Sequence, residues 1–69
     1  MSKKMGEVIR EARLAKGLSR EELAAKVGCS LFALRRWEQG KSVPIRIFRH
    51  RLEEELGVDL SEWKGADER

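Results

Sequence analysis

Five residues between positions 31 and 39 have side chains suited to contacting the edges of base pairs. Arginine can grip guanine through two parallel hydrogen bonds, and an apolar side chain can lie against the methyl group of thymine. At about 100° per residue these five side chains would fan out over one side of a helix: Leu31, Phe32, Arg35, Arg36 and Gln39. We predict that this side would face a DNA major groove.

Two helices joined by a tight turn would position this face. Ser19 with Glu22 forms the pattern of a capping box, so a helix should begin at Arg20. Gly28 can end that helix in the left-handed conformation, and Ser30 can cap the next one. The three-residue connection between them is of the kind that sets two helices at a steep angle. This is the layout of a helix-turn-helix, so double-stranded DNA is the leading candidate partner.

Glycines divide the rest of the chain into further helices. The pattern predicts helices near 4–16, 20–27, 31–39 and 44–56, with a short fifth helix near 60–64. We expect the following residues to form the core: Met5, Val8, Ile9, Ala12, Ala15, Leu18, Leu23, Ala24, Val27, Ala33, Leu34, Trp37, Phe48, Leu52, Leu56, Val58, Leu60 and Trp63, with Ile45 or Ile47.

Composition favours one small all-α domain. The chain has 69 residues, of which 39% are charged, and a single proline. We predict one domain over residues 1–69, a compact five-helix bundle with its core at about 5–64 and frayed ends at 1–4 and 65–69. No apolar run approaches the roughly 18 residues of a membrane span, and no signal-peptide pattern opens the chain, so we expect a cytoplasmic protein.

Catalytic and metal-binding chemistry find no support in the sequence. There is no paired set of catalytic carboxylates, no nucleophile with a base and no phosphate-binding loop. The lone Cys29 and the lone His50 have no companions at metal-ligand spacing. We expect no cofactor and no small-molecule substrate, and we expect Cys29 to pack as a small hydrophobe in the turn.

Charge is segregated along the chain. Residues 31–51 contain six basic residues against Glu38 alone, a net charge of +5, whereas residues 52–69 contain two basic and seven acidic residues, a net charge of −5. A polyanion should therefore dock on the candidate recognition helix, the loop after it and the start of the fourth helix. The residues we expect to contact phosphates are Ser19, Arg20, Ser30, Lys41, Arg46 and Arg49.

Four segments form a pattern that is specific when they are taken together: residues 16–24 (KGLSREELA), the turn at 28–30 (GCS), residues 37–41 (WEQGK) with Pro44, and residues 56–63 (LGVDLSEW). On these segments the chain resembles the phage repressor and Cro class of helix-turn-helix regulators over roughly residues 8–63. The resemblance implies a compact five-helix domain. The second helix of its helix-turn-helix motif, the recognition helix, reads base edges. It also implies a partly buried ion pair between Arg13 and Glu38.

Two departures from this class bear on function. The class commonly has glutamine where this chain has Arg20, and it usually opens the recognition helix with polar residues where this chain has Leu31 and Phe32. The apolar pair could contact thymine methyl groups, form a protein-protein patch or pack into the core.

Two hypotheses about function follow. The first is a non-enzymatic module that binds double-stranded DNA sequence-specifically, as a natural regulator or an engineered binder, since helix ends this regular fit either origin. A homodimer on a palindromic site is compatible with the sequence but not required by it. The rival hypothesis is an antitoxin-like or other protein-interaction module that keeps the fold and uses Leu31 and Phe32 as a protein interface.

Overall fold

The computed structural model describes residues 4–61, which form four α-helices and no β-strand. The helices are α1 (Met5–Ala15), α2 (Arg20–Val27), α3 (Leu31–Gln39) and α4 (Arg46–Leu56). The all-α prediction is confirmed, and the predicted helix ends agree with these bounds to within two residues. None of the helices described is long and apolar enough to cross a membrane.

The five-helix count is one higher than the structure supports for residues 4–61. Residues 62–64 of the fifth helix predicted near 60–64 lie outside the described residues, as do Trp63 and both expected frayed ends except for Lys4. At the edge of the described part, the Asp59 carboxylate accepts a hydrogen bond from the Ser61 amide at 2.9 Å.

The helix-turn-helix forms through the local signals that the sequence contains. The Ser19 hydroxyl accepts from the Glu22 amide at 3.0 Å, and the Ser19 amide donates to Glu22 Oε1 at 2.8 Å, which completes the capping box. Gly28 ends α2 with φ at 84°, in the left-handed region that favours glycine. The Ser30 hydroxyl then accepts from the Ala33 amide at 3.0 Å and starts α3. Both predicted helix starts and the turn between them are confirmed.

The core lies between all four helices, with α1 and α2 against α3 and with α4 against α1 and α2. The buried apolar residues are Met5, Ile9, Leu23, Ala24, Val27, Leu34, Trp37, Leu52, Leu56 and Leu60, with Val8, Ala12, Leu18, Cys29, Ala33, Phe48 and Val58 packed against them. Trp37 and Phe48 join α3 to α4 with their ring centroids 5.8 Å apart.

Ala15 was expected in the core, as was either Ile45 or Ile47, but all three are exposed. Ala15 is the last residue of α1 and faces solvent. Helix α4 begins two residues later than predicted, so Ile45 is its N-cap, and Ile47 points away from the face on which Leu52 and Leu56 are buried. Pro44, in the loop before α4, is fully buried.

Gly6 permits a close approach of α1 to the end of α3. A Cβ atom at this position would lie 2.4 Å from the Trp37 carbonyl oxygen and 2.6 Å from the Glu38 carbonyl oxygen. Backbone atoms cannot move aside as the end of a flexible side chain can, so only glycine fits. No local sequence pattern signals this role of Gly6, because the contact joins residues more than thirty positions apart.

Candidate nucleic-acid interface

Helix α3 has one buried side and one exposed side. Leu34, Trp37 and Glu38 are buried against the rest of the molecule. On the other side Phe32 is 70% exposed, so the idea that it packs in the core is wrong. Arg35 and Gln39 are also exposed, whereas Leu31 and Arg36 are half-buried. None of the five side chains predicted to contact bases is fully buried, and three of them are exposed on the same helix.

Phe32 and Arg36 form a pair on the exposed side of α3. They are one helical turn apart, and the Arg36 guanidinium carbon lies 5.8 Å from the centroid of the Phe32 ring. This distance is within the range of a cation–π interaction. Arg36 Nη2 also donates to the Lys41 carbonyl oxygen at 3.3 Å, in the loop after α3. The guanidinium is thus restrained from two directions while its surroundings remain open to solvent.

The buried side of α3 carries the ion pair that the resemblance implied. Arg13 Nε donates to Glu38 Oε2 at 2.7 Å, and Arg13 Nη2 donates to Glu38 Oε1 at 3.3 Å. The Glu38 side chain is only 1% exposed and that of Arg13 is 7% exposed. Arg13 Nη1 also donates to the Leu18 carbonyl oxygen at 2.9 Å, in the loop after α1. The arginine therefore connects the C-terminal end of α3 with the C-terminal end of α1.

Arg20 adds a second arginine to this carboxylate. Its Nε donates to Glu38 Oε1 at 3.0 Å, and its side chain is 38% exposed. From its place at the first position of α2, Arg20 was predicted only to contact phosphate. The structure pairs its Nε with a carboxylate of the protein, so a phosphate contact would fall to the other two nitrogens, Nη1 and Nη2, which we call the outer nitrogens. We call Arg13, Arg20 and Glu38 the buried cluster.

One predicted phosphate contact does not fit the structure. Arg49 is only 5% exposed, because α4 turns this position inward and the arginine interacts with other parts of the protein. Charge counting along the sequence could not separate Arg49 from Lys41 and Arg46, which are exposed.

The hydroxyl groups of the two serine candidates cap helices, yet each can still donate a hydrogen bond to a phosphate. Ser19 and Ser30 each use one acceptor position of the hydroxyl to bind a backbone amide. A serine hydroxyl also carries an O–H donor, so a phosphate contact remains compatible with the cap.

Arg51 has a structural role that was not predicted from the sequence. Its Nη1 donates to the Val27 carbonyl oxygen at 3.1 Å, so α4 supplies a partner for the free carbonyl at the end of α2. The same nitrogen lies 2.9 Å from where a Cβ of Gly28 would stand. The contact joins residues 24 positions apart, and no local pattern signals it.

Metal and thiol chemistry find no support at this interface. Among residues 4–61 no group of histidine, cysteine, aspartate and glutamate side chains could hold a metal ion. Burial raises the pKa of the Cys29 thiol, which disfavours the reactive thiolate at neutral pH. Cys29 packs beside the core in the turn, as expected for a small hydrophobe.

Comparison with known proteins agrees with this fold. The helix-turn-helix family profile matches residues 9–63, so the chain belongs to the helix-turn-helix family. Its structure is similar to that of the P22 c2 repressor protein, solved in complex with synthetic operator 9T in the presence of Tl⁺. The TM-score is 0.83 at 26% identity, over 96% of this chain and 100% of the repressor chain. A search of curated proteins found no match. The resemblance to phage repressors noted in the sequence is confirmed.

Proposed function

We propose that this helix-turn-helix protein binds double-stranded DNA sequence-specifically and regulates transcription, with α3 in the major groove. The observation that carries the proposal is the exposed side of α3. Phe32, Arg35 and Gln39 face solvent there, while the buried cluster and the core residues hold the opposite side. The match to a repressor in complex with an operator supports the same partner. We further propose that residues 1–69 form one domain, that the protein is not an enzyme and that it acts in the cytoplasm.

Roles can be divided by position around α3. Leu31, Phe32, Arg35, Arg36 and Gln39 contact base edges and give specificity. Phosphate contacts come from Ser19, Ser30, Lys41 and Arg46, with the outer nitrogens of Arg20 as a further donor. Such contacts fix orientation without reading sequence. Arg49 is removed from this set because it is buried.

Selection of sites from a random duplex library, followed by binding at several salt concentrations, tests this function. We expect a preferred site, and the affinity for it should fall on a log-log plot with a slope of about −0.9 per phosphate neutralised. The form of the selected site, a single half-site or a palindrome, would show whether one or two copies bind. Equal affinity for all duplexes, or an affinity that does not change with salt concentration, would contradict the proposal.

Two arginine variants separate base reading from phosphate binding. Arg35→Ala should lower the affinity for the preferred site by roughly 1–3 kcal/mol and relax the preference at one guanine. Arg46→Ala is the matched control, since it also removes one arginine from the basic region. It should weaken binding to all duplexes about equally and reduce the salt slope by about 1.

A second function is favoured by one observation, the exposure of Phe32. An apolar ring that is 70% exposed at the start of α3 also suits an interface with another protein, as in an antitoxin-like module. The substitution Phe32→Ser separates the two functions. Unchanged DNA affinity and site preference, together with loss of binding to a protein partner, would favour the interaction module.

A further inference from the structure

The pairing of Phe32 with Arg36 bears on which bases α3 can read. Neither Phe32 nor its neighbour Leu31 can form a hydrogen bond through its side chain, so neither can distinguish the carbonyl of thymine from the amino group of cytosine. What an apolar side chain can detect in the major groove is the methyl group on C5 of a pyrimidine. Thymine has this group, and 5-methylcytosine has the same group on the same carbon.

Arg36 supplies the hydrogen-bonding half of the pair. Its guanidinium lies 5.8 Å from the Phe32 ring, and one of its five N–H donors is used by the Lys41 carbonyl. The remaining donors can bind the O6 and N7 acceptors of guanine. The two residues are four positions apart, which is about 6 Å along α3, and this corresponds to one or two base-pair steps of about 3.4 Å.

We propose that Phe32 and Arg36 together read a C5-methylated pyrimidine with a guanine one or two steps away, so that the protein binds 5-methylcytosine as well as thymine at that position. The proposal rests on the proposed DNA-binding function and names its ligand more closely. The contact between the ring and the guanidinium orders both side chains in the free protein, which lowers the entropic cost of ordering them when DNA binds. Methylation of cytosine in such a site would strengthen binding.

The test uses four versions of the selected duplex at each pyrimidine position near the α3 contacts. Thymine is compared with uracil opposite adenine, and 5-methylcytosine is compared with cytosine opposite guanine, so that each comparison differs by one methyl group. At one position we expect loss of the methyl group to weaken binding roughly fourfold in both comparisons, the effect of removing one buried carbon. Phe32→Ser should bring both ratios close to one.

Two further measurements test whether Arg36 contacts the neighbouring guanine and whether the Phe32→Ser variant is folded. Replacing the neighbouring guanine by 7-deazaguanine removes the N7 acceptor, which should weaken binding by the wild type but not by the Arg36→Ala variant. Arg35→Ala is the control, and it should leave both methyl ratios unchanged. Phe32 is largely exposed, so its serine variant should keep the thermal unfolding midpoint of the wild type.

Each outcome bears on a distinct claim. Selective binding by the wild type with methyl ratios of one at every position would overturn this inference and leave the proposed function standing. An effect for thymine alone would show that the site rejects 5-methylcytosine, which also overturns it. A methyl effect that survives Phe32→Ser would assign the contact to another residue. Absence of any selective duplex binding would instead overturn the proposed function, and this inference would fail with it.

Discussion

The two sides of α3 use arginine in opposite ways. In the buried cluster, two arginines converge on the Glu38 carboxylate, which is almost fully removed from solvent. On the exposed side, Arg36 contacts an aromatic ring and one carbonyl oxygen among residues 4–61. The same residue type therefore fixes the helix on one side and remains able to bind a ligand on the other. The difference arises from burial, since an ionic contact strengthens as water is excluded.

Removal of the Glu38 carboxylate should have the largest effect on the buried side of α3. Glu38→Ala leaves Arg13 as a buried cation without its carboxylate, so we expect the free energy of unfolding to fall by about 3–5 kcal/mol. Denaturant unfolding measures this loss. Arg36→Ala on the exposed side is the control, and it should change stability by less than about 0.5 kcal/mol.

The same experiment has a second arm in case Glu38→Ala does not fold. The double substitution Arg13→Met with Glu38→Leu replaces the buried charges by apolar side chains of similar size and should recover much of the lost stability. Similar losses for Glu38→Ala and Arg36→Ala would show that the two sides do not differ as described.

Backbone packing next to the buried cluster gives the next largest effect. Gly6→Ala would place a methyl group against the Trp37 and Glu38 carbonyl oxygens, so α1 and α3 would have to separate. We expect a loss of about 1–3 kcal/mol, as for overpacked sites. Arg10→Ala, an exposed change in the same helix, should have little effect on the unfolding midpoint. An unchanged midpoint for Gly6→Ala would mean that the helices do not approach so closely in solution.

Arg20 lies between the two environments and should show an intermediate effect. Its side chain is 38% exposed, so solvent weakens its ion pair with Glu38. We expect Arg20→Ala to lower stability by about 0.5–1 kcal/mol and to reduce DNA affinity in a salt-dependent way. Arg20→Lys should retain most of the salt dependence. A loss as large as that of Glu38→Ala would place Arg20 with the fully buried contacts.

The smallest expected effect concerns the capping box of α2. Hydrogen bonds from Ser19 lower the pKa of the Glu22 carboxylate below its ordinary value of 4.5. Because the folded-state pKa is the lower one, this contribution to stability is present above the unfolded-state pKa and is lost as pH falls through the folded-state value. Thermal melts between pH 7 and pH 3 should therefore show a smaller pH dependence for Glu22→Gln than for the wild type. Identical pH profiles would show that the box contributes nothing measurable.

Much of the candidate site could be predicted from the sequence because its signals are local. Ser19, Gly28 and Ser30 specify where α2 ends and α3 begins through contacts within three or four residues. Helical periodicity then separates the core side of α3 from its exposed side. The Arg13–Glu38 pair was predicted only through the family resemblance, since no local pattern joins residues 25 positions apart.

Local sequence signals were sufficient to predict the four helices, the turn, most of the core and the side of α3 that faces outward. Long-range packing was needed to show that Arg49 is buried, that Arg20 shares Glu38 with Arg13, that Arg51 binds the end of α2, and that Gly6 is needed where α1 meets α3. Distance along the chain accounts for this difference. Caps and helical faces depend on neighbours within one turn, whereas the burial and partners of a long cationic side chain depend on which helix packs beside it.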